Sequence, residues 1–82
     1  MLKVLFFARY RETLDMEQLD LLYSPEFTDL EKVRKTLADQ GGKWQVLNDT
    51  GLMCARNQEL VELNTPLQDG DELAFFPTVT GG

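Results

Sequence analysis

The residues of this sequence that could take part in chemistry are concentrated at its C-terminus. Gly81 and Gly82 end a short polar segment that begins with Thr78, Val79 and Thr80. Because glycine has no Cβ, a backbone that ends in two glycines can enter a channel too narrow for side chains. The carboxylate of Gly82 is therefore expected to be gripped and modified by a partner enzyme.

Other candidates for chemistry are weak. Cys54 is the single cysteine, and its neighbours Met53 and Ala55 are apolar, which favours a buried structural thiol. The sequence has no histidine, which excludes Ser-His and Cys-His nucleophiles and histidine-containing zinc sites. The acidic segment 69–72 lacks the length and ligand spacing of a calcium loop. We therefore expect no bound metal or cofactor, and no catalysis by this chain alone.

Composition and charge narrow the class of protein further. The 82 residues suffice for one small domain, and a net charge of −6 speaks against nucleic acid or an anionic membrane as partner and favours a basic protein surface. The start Met1–Leu5 is too short and too soon followed by charge for a signal peptide. With one cysteine and no apolar stretch of membrane-spanning length, a cytoplasmic protein is expected.

The first half of the sequence predicts a strand hairpin. The apolar run Leu2–Ala8 is typical of a central strand, and Met16–Tyr23 is predicted to return as its partner. Between them, residues 9–15 are expected to form a turn or a short helical loop.

One long helix is predicted after the hairpin. Thr28 and Glu31 have the spacing of a capping box, which predicts that Thr28 caps a helix from about Asp29 to Gln40. Apolar residues follow at helical spacing, and the glycine pair 41–42 is expected to end the helix.

The second half predicts three short strands. These are residues 52–56, 59–61 and 72–76, separated by turns at 57–58 and 66–71. The element order ββαβββ indicates an α+β domain in which one main helix crosses one face of a mixed sheet. We place the domain at residues 1–77 and a flexible tail at 78–82.

Both terminal strands carry more apolar residues than one buried face needs. Alternation places Phe7 of the first strand and Phe76 of the last on the face opposite Phe6 and Phe75. If the two strands are neighbours, these residues form an exposed apolar patch near the tail, as protein-binding sites often do. The alternative is that a loop residue such as Trp44 covers this face.

Three stretches of the sequence resemble the MoaD and ThiS family of ubiquitin-like sulfur carriers. They are Leu2–Ala8 followed by Arg11 and Glu12, the pair Asn57-Gln58, and above all the segment 66–82. The resemblance spans the whole chain and implies a β-grasp fold, in agreement with the ββαβββ order. It departs at Thr78, where many relatives carry a second proline, and this departure predicts a slightly more flexible tail.

The resemblance also implies a mechanism in which the carrier brings a nucleophile and its partners bring the catalytic groups. An E1-like enzyme, similar to MoeB, would use ATP to adenylate the Gly82 carboxylate, and a sulfur donor protein would then displace AMP to leave a thiocarboxylate. The charged tail would enter a large subunit similar to MoaE, in a heterotetrameric molybdopterin synthase. There the sulfur would attack a pterin precursor to build the dithiolene of molybdopterin.

Four positions take a role from this resemblance, which for Phe7 and Phe76 agrees with their predicted outward direction. Phe7, Leu60 and Phe76 match positions that pack on the partner subunit, and Arg11 matches one that pairs with an acidic residue of the activating enzyme. The alternatives are a sulfur carrier for thiamine synthesis or tRNA thiolation, a protein modifier joined to lysines, and a binding module whose Gly-Gly end has no role.

Overall fold

The computed structural model describes residues 1–78. Its elements in chain order are β1 (Leu2–Phe6), α1 (Ala8–Leu14), β2 (Gln18–Leu21), α2 (Leu30–Ala38), a 3-10 helix (Gly42–Asn48), β3 (Leu52–Arg56), β4 (Glu59–Val61) and β5 (Glu72–Pro77). Of the helices in this part of the chain, none has both the length and the apolar character that a membrane crossing requires.

The strands form one mixed sheet in the order β2-β1-β5-β3-β4. β1 and β5 pair in parallel at its centre, while β1 with β2, β3 with β5 and β3 with β4 are antiparallel. The two most apolar strands of the sequence thus occupy the middle, where both of their faces can be covered. This arrangement agrees with the predicted α+β architecture.

Residues 9–15, expected as a turn or helical loop, belong mostly to the helix α1. Tyr10 and Leu14 lie four residues apart on one face of it, and both are fully buried. Asp15 ends the helix in the left-handed conformation with φ of 55°, and its N–H donates to the Arg11 and Glu12 carbonyls. The core therefore gains two large side chains from a segment that looked polar.

The predicted cap of α2 is wrong by one residue. Asp29 is the N-cap, and its carboxylate accepts a hydrogen bond from the Lys32 N–H at 2.9 Å. Thr28 is exposed, and Glu31 forms an ion pair with Arg34 rather than completing a capping box. Asp and Thr are both good N-caps, so the choice depended on backbone direction, which the sequence pattern does not give.

The hydrophobic core lies between α2 and one face of the sheet. Its central members are Leu2, Val4 and Phe6 of β1 and Leu73 and Phe75 of β5, each at most 1% exposed. Leu30, Val33, Leu37 and Ala38 of α2 pack against this cluster, together with Tyr10, Leu14, Leu47, Cys54 and Leu67. The opposite face of the sheet has no helix over it among the described residues.

Candidate functional site

The uncovered face of the sheet carries the predicted apolar patch. β1 and β5 are neighbours in register, with Leu5 opposite Ala74 and Phe6 opposite Phe75. Alternation along both strands then puts Phe7 and Phe76 on the face away from α2, as predicted.

A row of apolar residues crosses four strands of this face. Leu5 is opposite Ala74, Ala74 is opposite Ala55, and Ala55 is opposite Leu60. Because the two central members are alanines and the outer ones are leucines, the middle of the row is low and its ends are high. The sheet therefore has a depression where a flat apolar surface would otherwise be expected.

This depression, which we call the outer-face groove, has a volume of about 510 Å³. Leu60 is 63% exposed and Phe7 is 43% exposed, whereas Phe76 is half-buried. The groove is lined by Leu5, Phe7, Ala55, Gln58, Leu60, Glu72, Ala74 and Phe76. Large exposed apolar side chains around a concave surface are typical of a protein-binding site.

Three of these lining residues, Phe7, Leu60 and Phe76, are binding positions predicted from the sequence. The other lining residues carry no predicted role, because the pairing that joins β1 to β4 through β5 and β3 involves distant parts of the chain. The sequence does contain one signal for the groove, namely that alanines occupy positions 55 and 74, where a strand would more often carry a large apolar residue.

Trp44 does not cover this face, so the alternative interpretation is wrong. Its ring meets the ring of Phe6 edge-on, with centroids 6.0 Å apart. Phe6 is 1% exposed and belongs to the core, so Trp44 packs on the helical side of the sheet.

Arg11 lies apart from the outer-face groove. It borders a shallow depression at the C-terminal end of α1, together with Glu12, Asp15, Met16 and Glu17. Its guanidinium is 3.3 Å from the Glu17 carboxylate, and half of its side chain remains exposed. A second partner could therefore contact Arg11 on a surface distinct from the groove.

The root of the predicted tail is bonded to the body of the domain. The Thr78 N–H donates to the Gly51 carbonyl oxygen at 2.9 Å, and the Thr78 hydroxyl donates to the same oxygen. Two hydrogen bonds thus tie Thr78 to the turn at Gly51, and the slightly more flexible tail expected from the loss of a proline stays a prediction. The remaining site residues, Val79, Thr80, Gly81 and Gly82, lie outside the described residues.

Asp49 connects this root to the core. Its carboxylate accepts hydrogen bonds from the Tyr10 hydroxyl at 2.7 Å and from the Gly51 N–H at 3.2 Å, and it also pairs with Arg9. The hydrogen bond from Tyr10, followed by that from Gly51, holds the pKa of the Asp49 carboxyl below its ordinary value of 3.8. Burial, then the bond to Asp49, raises the pKa of Tyr10. At neutral pH the Asp49 carboxyl is therefore ionised and the Tyr10 hydroxyl is protonated.

Cys54 is buried in the core face of β3, as predicted. Its thiol donates to the Val61 carbonyl at 3.3 Å. Burial, with a smaller contribution from the negative charge of Glu31, raises its pKa to about 11. Residues 1–78 contain no cluster of three or more cysteine or acidic side chains placed to hold a metal ion. Within these residues the arrangement offers an exposed apolar groove and a hydrogen-bonded Thr78 beside it at the end of β5.

Comparison with known proteins agrees with this arrangement. The model of the ThiS family matches residues 4–82. The chain is 45% identical to the molybdopterin synthase sulfur carrier subunit of Escherichia coli K12, and the match covers 100% of both chains.

Two solved structures extend the comparison. One is a chain in the protein–protein complex of subunits 1 and 2 of the molybdopterin-converting factor from Helicobacter pylori 26695. It is 29% identical with a TM-score of 0.66, and the match covers 99% of this chain and 97% of that one. The other is SAMP1 from Haloferax volcanii, 21% identical with a TM-score of 0.76 and coverage of 99% and 98%. These similarities confirm the predicted ubiquitin-like β-grasp fold, and with the family match they show that the chain belongs to the ThiS family.

Proposed function

We propose that this chain is the sulfur carrier subunit of a molybdopterin synthase. The observation that carries the proposal is the outer-face groove, which adjoins β5 and so lies next to the strand that leads into the Gly-Gly end. The 45% identity with a protein of that name over the full length supports it. A domain with a docking surface and no catalytic cluster in its described part suits a carrier whose partners perform the catalysis.

The proposed chemistry takes place at the Gly82 carboxylate. A carboxylate is a poor acyl donor because its charge repels nucleophiles and oxide is a poor leaving group. Attack of one carboxylate oxygen on the α-phosphate of ATP releases pyrophosphate and forms an acyl-adenylate. A persulfide on the sulfur donor protein then attacks the acyl carbon and displaces AMP, which leaves with that oxygen, and a thiol reductant cleaves the resulting acyl disulfide to free the thiocarboxylate. The sulfur of the thiocarboxylate attacks the pterin precursor, and hydrolysis of the acyl link leaves the sulfur on the pterin and restores the Gly82 carboxylate. Two deliveries complete the dithiolene.

Different surfaces serve different partners in this proposal. The outer-face groove receives apolar side chains of the large subunit, with Phe7, Leu60 and Phe76 as its main contacts. The E1-like enzyme pairs an acidic residue with Arg11, which is exposed and already attracts a carboxylate. The H. pylori complex joins subunits 1 and 2 of a molybdopterin-converting factor, which supports a large-subunit partner here.

The remaining assignments follow from the same proposal. Residues 1–77 act as the folded body and residues 78–82 as the arm that enters each partner. The chain works in the cytoplasm as part of a heterotetramer and holds no metal or cofactor itself, while the activating enzyme consumes ATP. Nucleic acid and membrane are not partners.

The test is the intact mass of the chain after incubation with an E1-like enzyme, ATP and a sulfur source. We expect an increase of about 16 Da, because sulfur replaces one oxygen of the terminal carboxylate. A variant lacking Gly82 is the control and should keep its mass. An unchanged mass of the intact chain, with an enzyme proven active on its own carrier, would contradict the proposal.

The intact mass, binding to the large subunit, conversion of the precursor and deletion of the tail together separate the competing functions. A protein modifier would instead form an amide bond to a lysine, which adds the mass of the acceptor. A carrier for thiamine synthesis or tRNA thiolation would form the thiocarboxylate but would fail to bind the molybdopterin synthase large subunit or to convert the pterin precursor. A plain binding module would keep its function after removal of Gly81 and Gly82.

A further inference from the structure

We propose that Asp49 is a positioning residue for sulfur transfer, because it fixes the point and direction in which the tail leaves the body. This inference rests on the proposed function. It concerns a line of hydrogen bonds that runs from the core through Tyr10, Asp49 and Gly51 to Thr78. None of these four residues belongs to the outer-face groove.

The fixed end of this line is Tyr10. Its side chain is fully buried, so packing in the core determines where its hydroxyl points. The hydroxyl donates to Asp49 Oδ2 at 2.7 Å. Arg9 pairs with the same carboxylate oxygen and lies over the Tyr10 ring, with its guanidinium carbon 5.2 Å from the ring centroid. Two donors from α1 thus hold one oxygen of Asp49.

The other oxygen of Asp49 holds the turn that receives the tail. Asp49 Oδ1 accepts the Gly51 N–H at 3.2 Å. The carbonyl oxygen of Gly51 then accepts both donors of Thr78, the N–H at 2.9 Å and the hydroxyl. The first and last links join residues that are 39 and 27 positions apart, whereas Asp49 and Gly51 lie in one turn. Thr78 follows Pro77, which pairs with Leu52 of β3, and the bonds to Gly51 add a second attachment that Asp49 holds in place.

The space around Gly51 supports the same assignment. A Cβ built on Gly51 would lie 3.3 Å from Thr78 Oγ1 and 3.8 Å from Asp49 Oδ1. The absence of a side chain at this position lets Thr78 approach the turn closely enough to make both hydrogen bonds. A methyl group there would displace Thr78 by a few tenths of an ångström.

A small change in the orientation of Thr78 produces a large displacement at the end of the chain that follows it. The four residues that follow Thr78 span about 13 Å when a chain of that length is extended. Tilting such a chain by about 30° at its root would carry its end through roughly 7 Å. Transfer requires the sulfur to lie within bonding approach of its target, and a misplacement of about 1 Å can reduce a rate about 100-fold. Fixing Thr78 therefore reduces the volume within which the terminal sulfur can move.

The test compares binding with transfer in thiocarboxylated variants. Asp49→Ala removes the connection, and Thr78→Val removes the hydroxyl from an exposed residue without altering the core. Thr78→Ser keeps the hydroxyl and serves as the conservative variant. Asp39→Ala is the matched control, because it removes an exposed carboxylate at the C-cap of α2 whose ion pair within residues 1–78 is with Lys35, at 3.7 Å. Affinity for the large subunit is measured by titration, and the rate by single turnover of the pterin precursor at saturating large subunit.

We expect Asp49→Ala to lower the single-turnover rate about tenfold or more while the affinity stays within about twofold. Thr78→Val should also lower the single-turnover rate without loss of affinity. Thr78→Ser and Asp39→Ala should have the same rate and affinity as the thiocarboxylated chain without substitutions. An unchanged rate in Asp49→Ala overturns the inference, as does a loss of affinity in proportion to the rate, which would place Asp49 in docking or folding. If Asp49→Ala does not fold, the comparison of Thr78→Val with Thr78→Ser decides.

Amide hydrogen exchange at Thr78 tests the anchor without any sulfur chemistry. The Thr78 N–H should exchange at least about tenfold faster in Asp49→Ala than in Asp39→Ala, because its acceptor is no longer held. Equal exchange rates would overturn the inference. If the thiocarboxylated chain without substitutions binds the large subunit and converts no precursor, the proposed function fails instead, and the exchange result still decides whether Asp49 anchors the root.

Discussion

The thiol of Cys54 is withheld from the sulfur chemistry proposed for this chain. It is 2% exposed, donates to a backbone carbonyl, and has a pKa raised to about 11. Since the thiolate is the nucleophilic form, a protonated buried thiol neither takes sulfur from a donor persulfide nor attacks the acyl-adenylate. In the proposed chemistry the Gly82 carboxylate is therefore the acceptor of sulfur.

Alkylation measures this protection directly. Iodoacetamide should leave Cys54 unmodified in the native protein at neutral pH and should modify it fully in denaturant, because unfolding restores an ordinary thiol pKa. Cys54→Ala should retain thiocarboxylate formation at Gly82. Rapid alkylation of the native protein, or loss of thiocarboxylate in Cys54→Ala, would show that the thiol takes part.

A second prediction concerns acid stability and the pair Glu31–Arg34. The hydrogen bond from Arg34 lowers the pKa of Glu31 from its ordinary value of 4.5. A folded-state pKa below the unfolded one stabilises the fold above pH 4.5, and this stabilisation is lost as the pH falls through the folded-state pKa. At neutral pH the chain without substitutions should therefore have a larger free energy of unfolding than Glu31→Gln, as measured by urea titration. This difference should shrink below about pH 4.5. A difference that stays constant to about pH 3 would contradict this account.

The start of α2 shows two neighbouring residues with different structural roles. Its N-terminal N–H groups have no partners within the helix, and Asp29 satisfies that of Lys32. The carbonyl of the neighbouring Thr28 instead accepts from Leu67 N–H, which ties the loop before β5 to the start of α2. The two adjacent residues therefore have separate structural roles.

Substituting each of these two residues separates the roles. Asp29→Ala should lower the free energy of unfolding by about 1 kcal/mol, the usual cost of losing an N-cap. Thr28→Ala is the matched control and should change it by less than about 0.5 kcal/mol, because its exposed side chain makes no capping bond. Urea unfolding of both variants is the measurement, and the reverse order of effects would restore Thr28 as the cap.

The sequence pattern predicted which face of a strand each side chain occupies. It predicted less well which strands pair and which loops are joined by hydrogen bonds. The alternation of Phe75 and Phe76 is a local property of β5, so it could be read directly. The pairing that makes the groove from Ala55 and Ala74 depends on long-range register. The hydrogen bond from Tyr10 to Asp49 spans 39 positions, and that from Thr78 to Gly51 spans 27. No local signal in the sequence marks either bond.

In the molecule as a whole, one sheet serves two interfaces. The side toward α2 forms the core, and the other side forms the outer-face groove that the large subunit is proposed to cover. Phe75 is fully buried in the first, while Phe76 lines the second. Two adjacent residues of one strand thus report separately on folding and on binding.

Alanine substitution at these two positions is the corresponding test. Phe75→Ala should lower the free energy of unfolding by about 3–5 kcal/mol, because it leaves a cavity in the core. Phe76→Ala should leave unfolding cooperative and weaken binding to the large subunit by roughly 30-fold or more, since truncating a central interface aromatic often costs about 2 kcal/mol or more. Thermal unfolding and calorimetric titration measure the two effects. A Phe76→Ala protein that unfolds yet binds normally would place Phe76 in the core.

The parallel pairing of β1 with β5 has a mechanical consequence. Lys3 is opposite Glu72 and Phe6 is opposite Phe75, so the amino terminus and Thr78 lie at opposite ends of the sheet. A pull on the tail acts along β5, while the hydrogen bonds to β1 and β3 run across that direction. These bonds resist in shear and must break together, whereas a strand pulled sideways opens one bond at a time. Under the proposed function, in which a partner draws the arm into a channel, the load would fall on these bonds in shear and the body would stay folded.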